Sequence, residues 1–456
     1  MFMKVLKILA STVAALDSNV HTGGGTDDTT VLQGVLDLAK DGNVGVHLVM
    51  DGAALISKLK LHSNTTVECM NKDCGFYQID HTDDSMITNS DWNHYETKTH
   101  NISLLGGTYN QNCLNQAHDH GREAEYYTTP DGRTLKEFRF TLCLEFYGVQ
   151  NLLVRDITIA GFRTFAFTVG CFKNVTIEDV WLDMQHHMMG NQDGFHFWGP
   201  GQYLTVRNCG GFVSDDIMNI GPDEMDKISD ITDVLVDGIF CDDAEQAVRL
   251  LTRGTGRLDR VTVRNVTGQY RSFGFYINPW FPETCGNFGN IFFENIDLKE
   301  HKNTYPYYGP ILFSVGGNIE CLTLKNIRHH NGYDTRRLMD FGLPFYSSYN
   351  KTLDEASLEH TQRMQKIIID GLTVTENEND PMGRTYIKIH ENIETLVLKN
   401  ILVLKNQEKG NGTFLDFAEM GHIENLITES ICIEGVETVC SDYSRIGSQT
   451  HPKNEL

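Results

Sequence analysis

Residues 260–265 read RVTVRN, and residues 290–295 read NIFFEN. Each is a short alternation of apolar and polar residues that ends on a small polar one. The pattern also stands at 151–156 (NLLVRD), 174–179 (NVTIED), 203–208 (YLTVRN), 233–238 (DVLVDG), 321–326 (CLTLKN), 366–371 (KIIIDG), 395–400 (TLVLKN) and 425–430 (NLITES). Taking the small polar residue of each as a marker gives Asp156, Asp179, Asn208, Asp237, Asn265, Asn295, Asn326, Asp370, Asn400 and Ser430. Successive intervals are 23, 29, 29, 28, 30, 31, 44, 30 and 30 residues. The interval of 44 reads as one ordinary coil plus an insertion near 333–362, a stretch that lacks the strand pattern.

A strand of four or five residues cannot bury its inward side chains alone. Stacked coils of this period solve the problem, because equivalent strands pair in parallel and their apolar residues line up inside. The marker then falls at the same corner of every coil, where side-chain amides can bond up and down the stack. Leucine-rich repeats share the period but need an LxxLxLxxN signature that is absent. The expectation is an all-β chain: a single-stranded, right-handed parallel β-helix of ten or more coils.

Such a stack needs covered ends. Upstream lies GTDDTTVLQGVLDLAK (25–40). Thr26, Asp27 and Asp28 are N-cap candidates, and Val31, Leu32, Val35, Leu36 and Ala39 share one face at helical spacing. We assign 1–60 to an N-terminal cap with this helix, 61–440 to the β-helix and 441–456 to a C-terminal tail. The first residues, MFMKVLKILASTVAALDS, fit either a short secretion signal or a first strand or helix. No stretch reaches the roughly 18–20 apolar residues of a membrane span.

The net charge of −23 argues against nucleic acid as a partner and mildly against polyanions. The eleven cysteines are scattered. Cys209, Cys321 and Cys432 sit in expected strands as small hydrophobes. Cys69 and Cys74 are close enough to bridge or bind metal. The pattern leans towards a reducing, cytoplasmic setting, with secretion or a periplasmic location as the alternative. Oligomeric state is not readable.

Against this ladder, NQDGFHFWGP (191–200) and SDDI (214–217) stand out. Asp193, Asp215 and Asp216 are not corner markers; they are extra acids on consecutive coils. Crowded carboxyl groups cannot all ionise cheaply, which raises one pKa and makes an acid. An inverting glycosidase needs one protonated and one ionised carboxyl about 6.5–9.5 Å apart, and neighbouring coils supply about 4.8 Å before side-chain reach is added. That chemistry requires no cofactor and no metal, although three acids are also a Ca²⁺ donor set.

The segment 23–40 resembles the opening helix of pectin-lyase-like β-helix proteins. NQDG followed by SDD resembles the polygalacturonase family of glycoside hydrolases, family 28, which carries Asn-Thr-Asp-Gly and then Gly/Gln-Asp-Asp at this spacing. The resemblance spans most of 20–330 in organisation. It implies an inverting hydrolase of a poly- or oligosaccharide, with Asp215 as general acid and Asp193 and Asp216 activating water. Two departures bear on the substrate. The family's Gly-His-Gly falls on CDDAEQAVRLLTRGTG (241–256), which has Glu245-Gln246-Ala247 and no His. Its Arg-Ile-Lys falls on FGFYINPW (273–280), with Tyr276 and Asn278. A sugar carboxylate needs a cation, so either the sugar is not galacturonate or Arg249 and Arg253 supply the charge.

The candidate substrate-binding residues are therefore His196, Glu245, Gln246, Arg249, Arg253, Tyr276, Asn278 and Trp280. His196 alternates with Phe195 and Phe197; with the phenylalanines inward it faces outward beside Asp193. Trp198, Tyr276 and Trp280 are rings that stack on sugars or pack under loops. His186 and His187, and His118 and His120, are weak metal candidates. The polar, aromatic segment 109–140 reads as a large loop walling the cleft. Two rival functions remain: a polysaccharide lyase or epimerase, for which no basic residue is evident beside the acids, and a non-catalytic glycan-binding β-helix.

Overall fold

The computed structural model describes residues 4–11, 20–185, 187–279, 286–301, 310–330, 337–342, 363–375, 384–404 and 412–450. It divides into two compact units, Met1–Ile217 and Met218–Leu456. Each is a right-handed parallel β-helix.

In the first unit one column can be followed from coil to coil, although the register shifts between Gly170 and Phe172. Leu59, Ile87, Leu144, Phe167 and Phe195 are successive partners, all pointing inward and all buried. Their neighbours Lys60, Thr88, Glu145, Thr168 and His196 form the matching outward column. In the second unit Val248, Phe275, Phe313, Met339, Ile387 and Leu415 make the inward column. Phe275 and Phe313 stack there, with centroids 4.6 Å apart. The alternation of the sequence thus becomes an inside and an outside.

The corner markers behave as their chemistry requires. Asp156, Asp179, Asn208, Asn265, Asn295, Asn326, Asn400 and Ser430 have φ between 50° and 59°, the left-handed region that Asn and Asp tolerate best. Asp237 and Asp370 do not adopt it, because the glycine after each takes the turn instead: Gly238 at φ 88° and Gly371 at φ 87°. The amides bond along the stack, Asn265 to Asp237 at 2.6 Å, Asn295 to Asn265 at 3.1 Å, Asn326 to Asn295 at 2.7 Å and Asn400 to Asp370 at 2.7 Å. A second ladder, not apparent from the repeats, runs through Asn64, Asn101, Asn151 and Asn174 at 2.8–2.9 Å.

Several expectations are corrected. The helix Thr29–Leu36 is followed by a 3₁₀ turn at Asp37–Ala39; Leu32, Leu36 and Ala39 are buried, but Val31 is 69% exposed. Asp28 occupies the N-cap without a side-chain bond, and Asp27 instead accepts Thr29 N–H at 2.9 Å. Parallel stacking begins inside the segment assigned to the cap: Lys4–Ser11 is a strand paired along its whole length with Val44–Asp51. Ile446–Thr450, placed in the tail, is a strand paired with His422–Glu434; its exposed polar residues hid it from the repeat pattern. Arg337–Phe341, placed in an insertion, is a strand between Ile311–Val315 and Thr385–Ile389. The rest of 333–362 lies outside the described residues, apart from Gly342.

Cys69 and Cys74 are free and buried rather than bridged, and burial pushes the Cys69 thiol up to about 12. Cys209 is buried as expected, whereas Cys432 is exposed.

Candidate active site

Asp193 stands just ahead of the strand Phe195–Phe212. Two main-chain bonds tie its coil to the next: Gly194 N–H donates to Asp216 O at 2.8 Å, and Asp215 N–H donates to Gln192 O at 3.3 Å. In a regular parallel ladder one residue supplies both the N–H and the C=O that bracket the residue opposite. Here Asp215 supplies the N–H and Asp216 the C=O, so two residues face one, which is a β-bulge. Asp193 therefore lies opposite the Asp215–Asp216 pair, across one inter-coil spacing of about 4.8 Å. Asp193 and Asp216 are buried, at 4% and 0% exposure, and Asp215 is half-buried.

The surrounding sequence builds this arrangement. The Gln192 side-chain amide donates to Phe162 O at 2.8 Å, and its oxygen accepts Met189 N–H at 2.7 Å. The Ser214 hydroxyl donates to Met189 O at 2.5 Å. At Gly194 a Cβ would come within 2.4 Å of Leu182 Cδ1 and 2.5 Å of Ile217 O, so the position after Asp193 admits no side chain. Ala166 N–H donates to Asp193 O at 2.9 Å from the other side.

His196 lies in the outward column, as the alternation predicts. It is buried, however, and its Nδ1 lies 3.0 Å from Asp193 Oδ2. The ring stacks flat on Phe165, with centroids 4.2 Å apart and planes 7° from parallel. The imidazole is thus locked between a phenyl face and the Asp193 carboxylate.

The segment 109–140 folds into an arm rather than an open loop. Tyr126–Thr128 and Thr134–Lys136 pair antiparallel within it. The ring of Phe138 lies 5.5 Å from Phe165 and 5.1 Å from Trp198, and Phe140 is 5.8 Å from Phe165. His118 packs on Phe140 at 4.2 Å, and its Nε2 is 3.4 Å from Asn191 Oδ1. The arm's base is pinned by charge. Arg122 meets Asp84 at 3.0 Å and Glu137 at 3.5 Å, lies over the Trp92 ring, and Glu137 meets His120 at 3.2 Å. Burial raises the Glu145 pKa against the pull of Arg122; burial, helped by Arg122, lowers that of His120. Among the described residues no three His, Cys, Asp or Glu side chains are grouped so as to hold a metal ion. His186 and Trp280 lie outside the described residues.

The other predicted residues belong to the second unit. Arg249 and Tyr276 are register partners, and the guanidinium lies 5.4 Å over the ring; Tyr276 stacks in turn on Phe273 at 4.6 Å. Arg253 pairs with Glu224 at 2.9 Å. Glu245 is buried, accepts a hydrogen bond from Ser272 and pairs with Arg271 at 3.3 Å. Gln246 and Asn278 are buried at 7% and 1% exposure. Sequence reasoning missed Arg271, Asp223 and the bulge. Asp223 anchors the 253–256 turn through the N–H groups of Arg253, Gly254 and Gly256; burial nevertheless lifts its pKa to about 6.

Comparison with known proteins bears on the fold. No family model matches the sequence, and no curated protein matches it. Among solved structures, a mutant tailspike protein of the E. coli bacteriophage HK620 superposes with a TM-score of 0.56 at 11% identity, over 92% of this chain and 74% of that one. This is the β-helix fold. A family 28 exopolygalacturonase of Yersinia enterocolitica matches with a TM-score of 0.49 at 12% identity, over 99% of this chain and 78% of that one. The exopolygalacturonase of Thermotoga maritima matches with a TM-score of 0.46 at 14% identity, over 93% and 92%.

Proposed function

We propose that this protein is an inverting glycoside hydrolase, and that Asp193, Asp215 and Asp216 are its catalytic acids. The observation that carries the reading is the bulge, which sets Asp193 on one coil against two consecutive aspartates on the next. Three carboxyls at that spacing repel when ionised, so one holds its proton at a pH where the others have lost theirs. Half-buried Asp215 is the general acid, protonating the glycosidic oxygen as the bond breaks. Asp193, oriented by His196, and Asp216 hold the water that attacks the opposite face of the sugar, and one of the two carboxylates takes the single proton that it loses. Neither a covalent intermediate nor a cofactor enters this scheme.

The substrate on this reading is a poly- or oligosaccharide, the class that the aspartate motif implies. The test is incubation with plant and microbial glycans, measuring new reducing ends and, separately, absorbance of an unsaturated product. Asp215→Asn should abolish the reducing ends without shifting the melting temperature. Full activity in that variant, or an unsaturated product from the unmodified protein, overturns the assignment.

A further inference from the structure

Within the first unit an outward column runs through Thr88, Glu145 and Thr168 to His196 beside Asp193, and it is covered on the side of the earlier coils. Thr88, Glu145, Thr168 and His196 are exposed by only 7%, 3%, 0% and 2%. Nothing in the strands themselves causes this, since the column points away from the core. The arm does so. Phe138 and Phe140 form edge contacts with one another at 4.4 Å and cover Phe165, the ring on which His196 lies. Phe138 also meets Trp198, one alternation further along the same strand. Further back, His94, from the loop between the strands Ile87–Asn89 and Thr99–Leu105, stacks on Tyr127 of the arm's hairpin at 3.7 Å. The wall therefore begins within one coil of Asp193. It also reaches the turn that precedes the acids, through His118 and Asn191.

The wall is fixed rather than draped. Its base carries the ion pairs of Arg122 with Asp84 and Glu137, and main-chain bonds from Gly121 to Asp83 O at 3.0 Å and from Thr141 to His118 O at 2.8 Å. Rings packed against rings exclude water and resist separation. A polymer crossing the acids towards the earlier coils would have to break that packing.

We infer that the site accepts only a chain end on this side, so the protein removes terminal sugars and does not cut within a polymer, with Phe138 and Phe140 as the residues that set this specificity. The inference rests on the hydrolase reading and adds to it. Asp193 and its partners perform the bond cleavage, and the arm limits a glycan to its terminal unit.

The test uses the full-length protein and any polysaccharide on which it generates reducing ends. Viscosity and product size are followed together, with Asp215→Asn run in parallel. The expected result is single sugars or the smallest fragments appearing while viscosity stays near its starting value. The double variant Phe138→Ala/Phe140→Ala, checked for an intact melting transition, should release longer fragments and lower viscosity several-fold more per reducing end. A rapid fall in viscosity with the unmodified protein overturns the inference, as does end-only cleavage by a folded double variant. Failure of the hydrolase reading looks different: reducing ends persist in Asp215→Asn whatever their size.

Discussion

Asn151 tests the ladder logic most directly. It has φ 58°, donates to Asn101 Oδ1 at 2.9 Å and accepts from Asn174 at 2.8 Å. Asn151→Ala removes both bonds, each worth about 0.5–1 kcal/mol at an exposed position, and places a Cβ without a compensating polar group in the left-handed region, at a further cost of about 1 kcal/mol. The total is about 2–3 kcal/mol. Asn151→Gly loses the same bonds but relieves the backbone, and after the extra chain entropy of glycine it should cost about 1–2 kcal/mol. Three of the four tryptophans, Trp92, Trp181 and Trp198, lie in the unit that contains Asn151, so fluorescence during urea unfolding reports on it. With an m-value of about 2–3 kcal/mol per M, the Ala variant should lose about 1 M in midpoint and the Gly variant clearly less. If glycine destabilises as much as alanine, the left-handed corner is not what the asparagine serves.

Burial lifts the Glu391 carboxyl from its ordinary 4.5 to about 7. A raised acid stabilises the fold fully below its unfolded pKa and loses that contribution as pH rises through about 7. Glu391→Gln should therefore match the unmodified protein near pH 4.5 and exceed it by up to ~3 kcal/mol at pH 8; parallel urea titrations at the two pH values check it, and identical pH profiles sink it. Arg271, 1% exposed, pairs with Glu245 and with Asp243 at 3.2 Å. Arg271→Met removes the buried cation from both acids, leaving Glu245 its Ser272 bond and Asp243 its His301 contact, and should cost about 3 kcal/mol, part of it regained in Arg271→Met/Glu245→Gln; no recovery in the double variant would show that the pair is not coupled. Cys432 is exposed while Cys143 and Cys241 are fully buried, so a thiol reagent followed by peptide mapping should label Cys432 in minutes and the buried pair only on unfolding. Rapid labelling of Cys143 or Cys241 would contradict the packing.

The sequence carried the β-helix because its period is written in side chains that must repeat: Val261 and Ile291 point inward for the same reason, and Asn265 and Asn295 turn the same corner. Irregularly spaced elements hid. The second ladder joins Asn64, Asn101, Asn151 and Asn174 across separations of 37, 50 and 23 residues, so no fixed period reveals it. Arg337–Phe341 pairs in register although RLMDF does not alternate, because Leu338, Met339, Asp340 and Phe341 are all buried. The three aspartates were visible because they break the marker pattern. The role of His196 as a partner of Asp193 was half visible: alternation placed it on the right face, but the Phe165 ring that fixes it comes from another coil. The arm's packing could not be read at all, since Phe138 and Phe140 meet Phe165 and Trp198 only after the chain has folded back.

The bulge at Asp215–Asp216 has a consequence for how such a site can change. Two bonds bracket it, Asp215 N–H to Gln192 O and Gly194 N–H to Asp216 O, and Phe195, two residues past Asp193, keeps its partner Phe167 on the coil before. A bulge takes up its surplus residue locally, so the rest of the strand need not slip by one. A coil can therefore gain or lose one acid at this point by insertion or deletion of a single codon, without the face reversal that a one-residue slip normally forces on a strand. The number of carboxyls facing Asp193 is in that sense uncoupled from the stack that carries them.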